Sequence, residues 1–257
     1  MTVRNTHFVD EALRLVEGAE EKGIRLRILG SVAYRLHSPK HLHLFDAMER
    51  ELTDVDFAAV RSQGRAIREL LVGEGYVPDE GIFVASEGLR HNYVHKQTKL
   101  NVDVFADELF FCHRIPFRGR LELDYPTITT TDLLLEKMQI VEINLKDIKD
   151  TLVLLLEHPI DDPAAGTDSI DGGYVSAMMA GDWGFYHTFT TNLQKVLGHI
   201  PEFAALDDGQ GGAIRARVES LLARIESAPK SMKWKLRARV GTRVRWYQEV
   251  SEKGKVF

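Results

Sequence analysis

Two short alternating runs constrain this chain more than anything else in it. In Thr53-Asp54-Val55-Asp56-Phe57, the period of two imposed by a strand puts Asp54 and Asp56 on one face. The same alternation turns Val55 and Phe57 to the other face, toward a core. In Lys99-Leu100-Asn101-Val102-Asp103-Val104-Phe105, Asn101, Asp103 and Phe105 stand opposite Leu100, Val102 and Val104. A fold that accepts both runs must bury one side of each strand and keep carboxylates accessible on the other. Upstream, Ile24-Arg25-Leu26-Arg27-Ile28 also alternates, and Leu29-Gly30-Ser31 follows it. Gly30 permits a sharp turn, and Ser31 is expected to cap a helix beginning at Val32, whose free N–H groups would face a ligand.

Paired carboxylates on a rigid strand suit Mg2+, a hard cation that completes its octahedron with water and substrate phosphates. A third carboxylate, Asp103, would complete a two-metal clamp on an in-line displacement. Taken in order, Leu29-Gly30-Ser31, Asp54-Val55-Asp56 and Val102-Asp103-Val104 resemble the motifs of the nucleotidyltransferase superfamily related to DNA polymerase beta. The resemblance implies Mg2+ or Mn2+ held by Asp54, Asp56 and Asp103, with an NTP as substrate and Gly30 and Ser31 against its phosphates. Residues 32–53 make a longer spacer between turn and aspartates than the minimal members of that superfamily have. In this the chain is similar to the nucleotidyltransferase-fold toxins of abortive-infection systems. So is the later pair of runs, Leu133-Leu134-Leu135-Glu136-Lys137-Met138 and Leu145-Lys146-Asp147-Ile148-Lys149-Asp150. That group implies that Lys137 touches the nucleotide phosphates, that Asp147 supports the site, and that a cognate antitoxin is a partner. The resemblance spans roughly residues 20–157 and leaves out the last hundred.

Taken by themselves, Asp147 and Asp150 read as surface charge beside Lys146 and Lys149, and Lys137 as a solvated helix lysine. His37, His41 and His43 lie close in sequence, but their spacing matches no zinc template. His37 ends the phosphate-facing helix, where it could meet a nucleotide, and residues 40–52 read as a loop-rich rim.

The expected architecture is α+β: a nucleotidyltransferase-like mixed sheet with flanking helices over residues 1–125, then a helical accessory region over 126–257. A first helix carries Phe8, Ala12, Leu15, Val16 and Ala19 at helical spacing and stops at Gly23. Ser62 is expected to cap a helix with Ile67, Leu70 and Leu71 inward, and residues 89–96 and 99–105 to form a hairpin. Arg118–Leu123 could add a further strand. Helices are expected to open at Thr131-Asp132 and to carry Ile148, Leu152, Leu155 and Leu156 before Pro159. Residues 161–168 have the composition of a linker, and residues 174–199 and 212–226 read as helix core.

Net charge is −5, which alone disfavours a nucleic-acid partner, but residues 230–257 carry nine Lys or Arg against two Glu. That segment is therefore +7 and the rest −12. It satisfies two templates. Lys233, Lys235, Arg237 and Arg239 alternate with Trp234, Leu236, Ala238 and Val240, as in a hairpin strand. Met232, Leu236, Val240, Val244 and Tyr247 also make a helical stripe, and the residue types favour helix. In either form Lys233, Lys235, Arg237, Arg239, Arg243 and Arg245 are candidate RNA contacts, unless the tail docks on the acidic body. Cys112 stands alone, which excludes a disulfide framework. No run is apolar enough to span a membrane, and the N-terminus lacks a secretory apolar block, so a cytoplasmic protein is expected.

These readings converge on an enzyme moving a nucleoside monophosphate from an NTP to a hydroxyl on tRNA or protein. A non-catalytic nucleotide- or RNA-binding protein of the same fold is one alternative. A small-molecule modifier resembling aminoglycoside nucleotidyltransferases is the other.

Overall fold

Leu26–Leu29 is buried along its whole length, so the first strand is covered on both faces, and the layers around it follow from what covers it. The computed structural model describes residues 3–161 and 168–249. Helix α1 (Val3–Glu20) precedes β1 (Leu26–Leu29), and α2 (Gly30–His37) follows it at once. Then come α3 (Leu42–Ala47), β2 (Val55–Ala59), α4 (Gly64–Gly73), β3 (Tyr76–Pro78) and α5 (Glu80–Ala85). The hairpin β4 (Arg90–His95) and β5 (Asn101–Ala106) completes a five-stranded sheet of order β1-β2-β5-β4-β3. Only β2 and β5 pair in parallel; the other three pairings are antiparallel. A small hairpin, β6 (Glu108–Phe110) and β7 (Arg114–Pro116), continues from the sheet.

The rest is largely helical: α6 (Thr130–Met138), α7 (Leu145–Glu157), α8 (Gly172–Gly181), α9 (Trp183–His199), α10 (Asp208–Ser227) and α11 (Met232–Val240). The short strands β8 (Ile160–Asp161) and β9 (Ile170–Asp171) flank residues 162–167, so the expected linker lies largely outside the described residues. Thr129 caps α6 by accepting from the Asp132 N–H, and Asn144 and Asp147 form a capping box on α7. Ile148, Leu152, Leu155 and Leu156 are buried, as their spacing predicts, and so are Ile214, Val218, Leu221 and Ile225 of α10. No helix among the described residues is long and apolar enough to cross a membrane.

Several local expectations are corrected. Helix α2 begins at Gly30, with Leu29 as its N-cap and no side-chain cap, so Ser31 lies inside the helix rather than ahead of it. Ser62 falls in a 3-10 turn, Arg61–Gln63, and does not cap α4. Residues 118–123 form turns, not a strand. The spacer is no loose rim. It holds a 3-10 turn, Pro39–His41, and α3, whose Leu44 and Phe45 are buried, while His41 pairs with Glu157 of α7.

The tail resolves as helix over Met232–Val240 and extends no further as one, because Gly241 follows with φ +60°. Met232, Leu236 and Val244 of the expected stripe are more than half exposed. The anchor is instead Trp234, whose Nε1 donates to the Met179 carbonyl at 3.0 Å while its ring meets Tyr186 edge-on. Arg237 lies over the Trp183 ring and donates to the Gly241 and Val244 carbonyls, and Arg245 pairs with Glu249. These two cations do not face outward unpaired, as the sequence suggested. Beyond α11 the chain runs back across α9. Trp246 Nε1 donates to Thr188 Oγ1 at 3.0 Å, and the Gln248 N–H to the Cys112 carbonyl at 3.1 Å. Gly184 permits this passage, since a Cβ there would overlap the Trp246 carbonyl.

Gly184→Ala should therefore cost roughly 1–3 kcal/mol by overpacking, or relieve the clash by releasing the tail. Hydrogen exchange checks it: the Gln248 amide should exchange faster while Asn101–Ala106 is unaffected, and unchanged protection at Gln248 would refute this account of the tail's docking.

Candidate active site

The site is set by strand register. Leu29 pairs with Asp56 across the antiparallel β1–β2 ladder, and Asp56 pairs with Asp103 across the parallel β2–β5 ladder. Side chains at paired positions share a face, so Asp56 and Asp103 lie side by side. Asp54 stands just before β2 rather than on it, and Val55 and Phe57 are fully buried on the far face, as alternation requires. Gly30 has φ +67°, and a Cβ there would overlap the Asp56 carboxylate. Both the turn and this close approach demand glycine.

Asp54, Asp56, Asp103, Ser31, Lys137 and Asp147 line one cavity of about 340 Å³, with Gly30 at its edge against Asp56. Side chains from β2, β5, α2, α6 and α7 thus meet at one cleft. Three other residues of the cleft, Glu136, Arg50 and Arg90, were not anticipated from the sequence. Glu136 Oε2 accepts from the Gly30 N–H at 3.0 Å, so the first N–H of α2 is already taken rather than free for a ligand. Arg50 binds Asp150 bidentately at 2.9 and 2.7 Å, both side chains being buried. Arg90 grips both oxygens of Asp103 at 2.9 and 3.0 Å. The one available signal for Glu136 was its place beside Lys137 in a helix packed against the turn. Arg50 and Arg90 carried none, because a cation in a spacer or on a strand end is ordinarily solvated.

Lys137 is no solvated lysine. Its Nζ lies 3.1 Å from Asp147, 3.4 Å from Glu136 and 3.8 Å from Asp150. Burial, the largest single influence, works against its charge, but Asp147, Glu136 and Asp150 outweigh it and raise its pKa. Asp147 and Asp150 are buried, Asp150 completely, which overturns their reading as surface charge. His37 lies away from the cleft: its Nε2 is 2.7 Å from Thr127 Oγ1 and 3.1 Å from the Ile128 carbonyl. Burial lowers its pKa to about 4, so it is a neutral structural histidine and not a nucleotide contact. None of the six tail cations borders the carboxylate cavity.

Burial first, then Asp54, Asp103 and Glu136, push the Asp56 carboxyl well above its ordinary range, with only partial opposition from Lys137. The donor set is chemically right for a hard divalent cation, and Asp56 lacks a counter-charge that such a cation would supply. Among the described residues, however, no three His, Cys, Asp or Glu side chains are gathered into a metal-holding group. Arg90 occupies both oxygens of one of the three carboxylates concerned. A scan against protein-family models and searches of curated proteins and of solved structures find nothing that matches the chain.

Because the folded chain holds the Asp56 proton more tightly than the unfolded chain, ionising Asp56 costs stability. That cost is absent below the ordinary carboxyl value of 3.8 and grows as pH rises above it. Asp56→Asn should accordingly melt higher than wild type at pH 7, with the gain shrinking toward about pH 4. Thermal unfolding at both pH values measures it, and a destabilised variant at pH 7 would contradict the charge balance described.

Proposed function

We propose that the chain is a metal-dependent nucleotidyltransferase that moves a nucleoside monophosphate from an NTP to a hydroxyl acceptor, with pyrophosphate leaving. The observation that carries this reading is the register pairing of Asp56 with Asp103 beside a glycine turn, with Lys137 lining the same cavity. The mixed five-stranded sheet with flanking helices is a generic α+β architecture that leaves room for this reading. Asp54, Asp56 and Asp103 would hold Mg2+ or Mn2+. When bound, the metal would neutralise charge on the phosphates and favour ionisation of the attacking hydroxyl.

The chain's own residues do the rest. Ser31 and the Gly30 turn border the space where the triphosphate would lie, and no side chain at residue 30 blocks approach to Asp56. Lys137, oriented by Asp147 and Glu136, offers a fixed positive charge to the departing phosphates. Asp103, set beside Asp56 by the β2–β5 register, acts as a metal ligand in this reading. Arg50 and Asp150 tie the spacer to α7 and so hold the two sides of the cleft at a fixed distance.

The direct test is incubation of the pure protein with each α-labelled NTP, Mg2+ or Mn2+, and a cell extract as source of acceptors. Asp54→Asn and Asp103→Asn should each lower labelling by at least about 100-fold while circular dichroism stays native. No labelled product with any NTP would sink the reading. One observation favours a second reading: the Arg90 fork on Asp103 suits a protein of this fold that binds nucleotide or RNA without transfer.

For the acceptor, tRNA is favoured over a small molecule by Lys233, Lys235, Arg239 and Arg243, which are exposed and carry no acidic partner among the described residues. A protein acceptor and a cognate antitoxin, as in the toxins the motifs resemble, are the other partners proposed. If the four cations contact phosphates, neutralising Lys233, Arg239 and Arg243 together should flatten the salt dependence of RNA binding by roughly two units of slope. Titration of tRNA at several salt concentrations measures this. Equal slopes in wild type and variant would remove RNA from the tail.

A further inference from the structure

Arg90 is the cation nearest in function to the metal the cleft would need. It stands on β4, paired in register with Phe105, and its guanidinium lies over the Phe105 ring at 5.3 Å. From there Nε and Nη2 bind the two oxygens of Asp103 at 2.9 and 3.0 Å, the parallel fork that arginine makes best. Asp103 is 9% exposed, so its charge sits in a place where losing this partner would be costly. Arg90 also borders a second, larger cavity of about 540 Å³, which shares Phe105 and Phe111 with the carboxylate cleft. On that side Leu89, Ile82 and Phe110 supply apolar walls and leave the guanidinium room to withdraw without displacing the sheet.

We propose that Arg90 is a built-in counter-ion for Asp103 that competes with the divalent cation, and that metal loading moves its guanidinium out of the cleft toward the second cavity. The inference rests on the reading of Asp54, Asp56 and Asp103 as metal ligands and adds a residue which that reading does not contain. The competition follows from charge and geometry: the fork takes a lone pair on each Asp103 oxygen, spends much of the carboxylate's charge on the guanidinium, and sets a positive group where it repels an incoming cation. The free energy of breaking the fork is therefore subtracted from metal affinity. The guanidinium, anchored over Phe105, is then left at the boundary between the two cavities. There it would face an acceptor entering from the larger one, making Arg90 a positioning residue at the junction.

The test is Mn2+ binding by isothermal titration calorimetry on the full chain, without NTP. Arg90→Gln, which removes the competitor, should bind Mn2+ roughly five-fold or more tightly than wild type. Arg90→Lys keeps a charge but not the fork, and should fall between the two; it serves as the measurement should Arg90→Gln fail to fold. In an Asp103→Asn background the Arg90→Gln gain should vanish, which a merely structural arginine would not require. Equal or weaker Mn2+ binding by folded Arg90→Gln or Arg90→Lys, with Asp54→Asn still abolishing binding, would overturn the proposal and leave the metal site standing. Mn2+ binding that is absent, or indifferent to Asp54→Asn, would overturn the metal site and the proposal together.

Discussion

The parallel pairing of β2 with β5 is the constraint on which the site depends. Every other ladder in the main sheet is antiparallel, and this one joins strands that are far apart in sequence. A parallel pair cannot be closed by a tight turn, so α4, β3, α5 and β4 lie between them. The antiparallel hairpin β4–β5 then returns the chain to β2 with Asp103 opposite Asp56. A slip of one residue would put Val102 or Val104 beside Asp56 and send Asp103 into the apolar layer under the sheet. Burial of Val102, Val104, Val55 and Phe57 on that layer is what forbids the slip. The hydrophobic side of these strands thus sets the geometry of their charged side.

Concentrating carboxylates in a partly buried cleft carries an electrostatic cost, and the fold offsets it with cations drawn from three different elements. Lys137 on α6 serves Asp147, Glu136 and Asp150; Arg90 on β4 serves Asp103; Arg50, just after α3, serves Asp150. Buried pairs of this kind add little net stability over an apolar replacement of the same shape. Their effect lies in fixing geometry, because removing one partner leaves a stranded charge worth about 3–5 kcal/mol. Asp56 is the exception: it has Asp54, Asp103 and Glu136 as like-charged neighbours and only partial relief from Lys137. Of the three aspartates to which the resemblance assigns a metal, Asp103 has Arg90 as its counter-ion, whereas Asp56 is left with like-charged neighbours.

Much of this was legible from the chain alone, and the reason differs from residue to residue. Alternation fixed the faces of β2 and β5 because each strand has one apolar and one polar side, and helical spacing found the inward faces of α1, α4, α7 and α10. Gly30 was recognisable as a turn, but not as the place where the Asp56 carboxylate comes too close for any side chain. Capping was misjudged at Ser31 and Ser62, since a cap depends on where the first N–H groups point, and tertiary contacts decided that. In α2 the Glu136 carboxylate reaches in from α6 to take the Gly30 N–H. Asp150 looked like surface charge beside Lys149, because nothing local says that Arg50 will arrive from a hundred residues upstream. Long-range ion pairs carry no periodicity, and a sequence shows their members only as unremarkable charges.

The tail's ambiguity has a physical origin of its own. In α11, Trp234 and Ala238 lie on one side and Met232, Leu236 and Val240 on the other, so the helix has two apolar edges with cations between them. A strand template reads that as alternation and a helix template reads it as a stripe, and both match. Only one edge is used: Trp234 is anchored on Met179 and Tyr186, while Met232, Leu236 and Val240 remain exposed. Among the described residues, the contacts that hold the tail are ring contacts and hydrogen bonds to backbone carbonyls, as at Arg237 and Lys230, and its one ion pair, Arg245 with Glu249, lies within the tail itself. Among the described residues, no ion pair joins the tail to the acidic body. Lys233, Lys235, Arg239 and Arg243 are exposed and have no acidic partner among the described residues. Gln248, a few residues further on, borders the larger cavity beside the carboxylate cleft. Among the described residues, ring packing and backbone hydrogen bonds fix the tail, so its exposed cations face whatever approaches from that side.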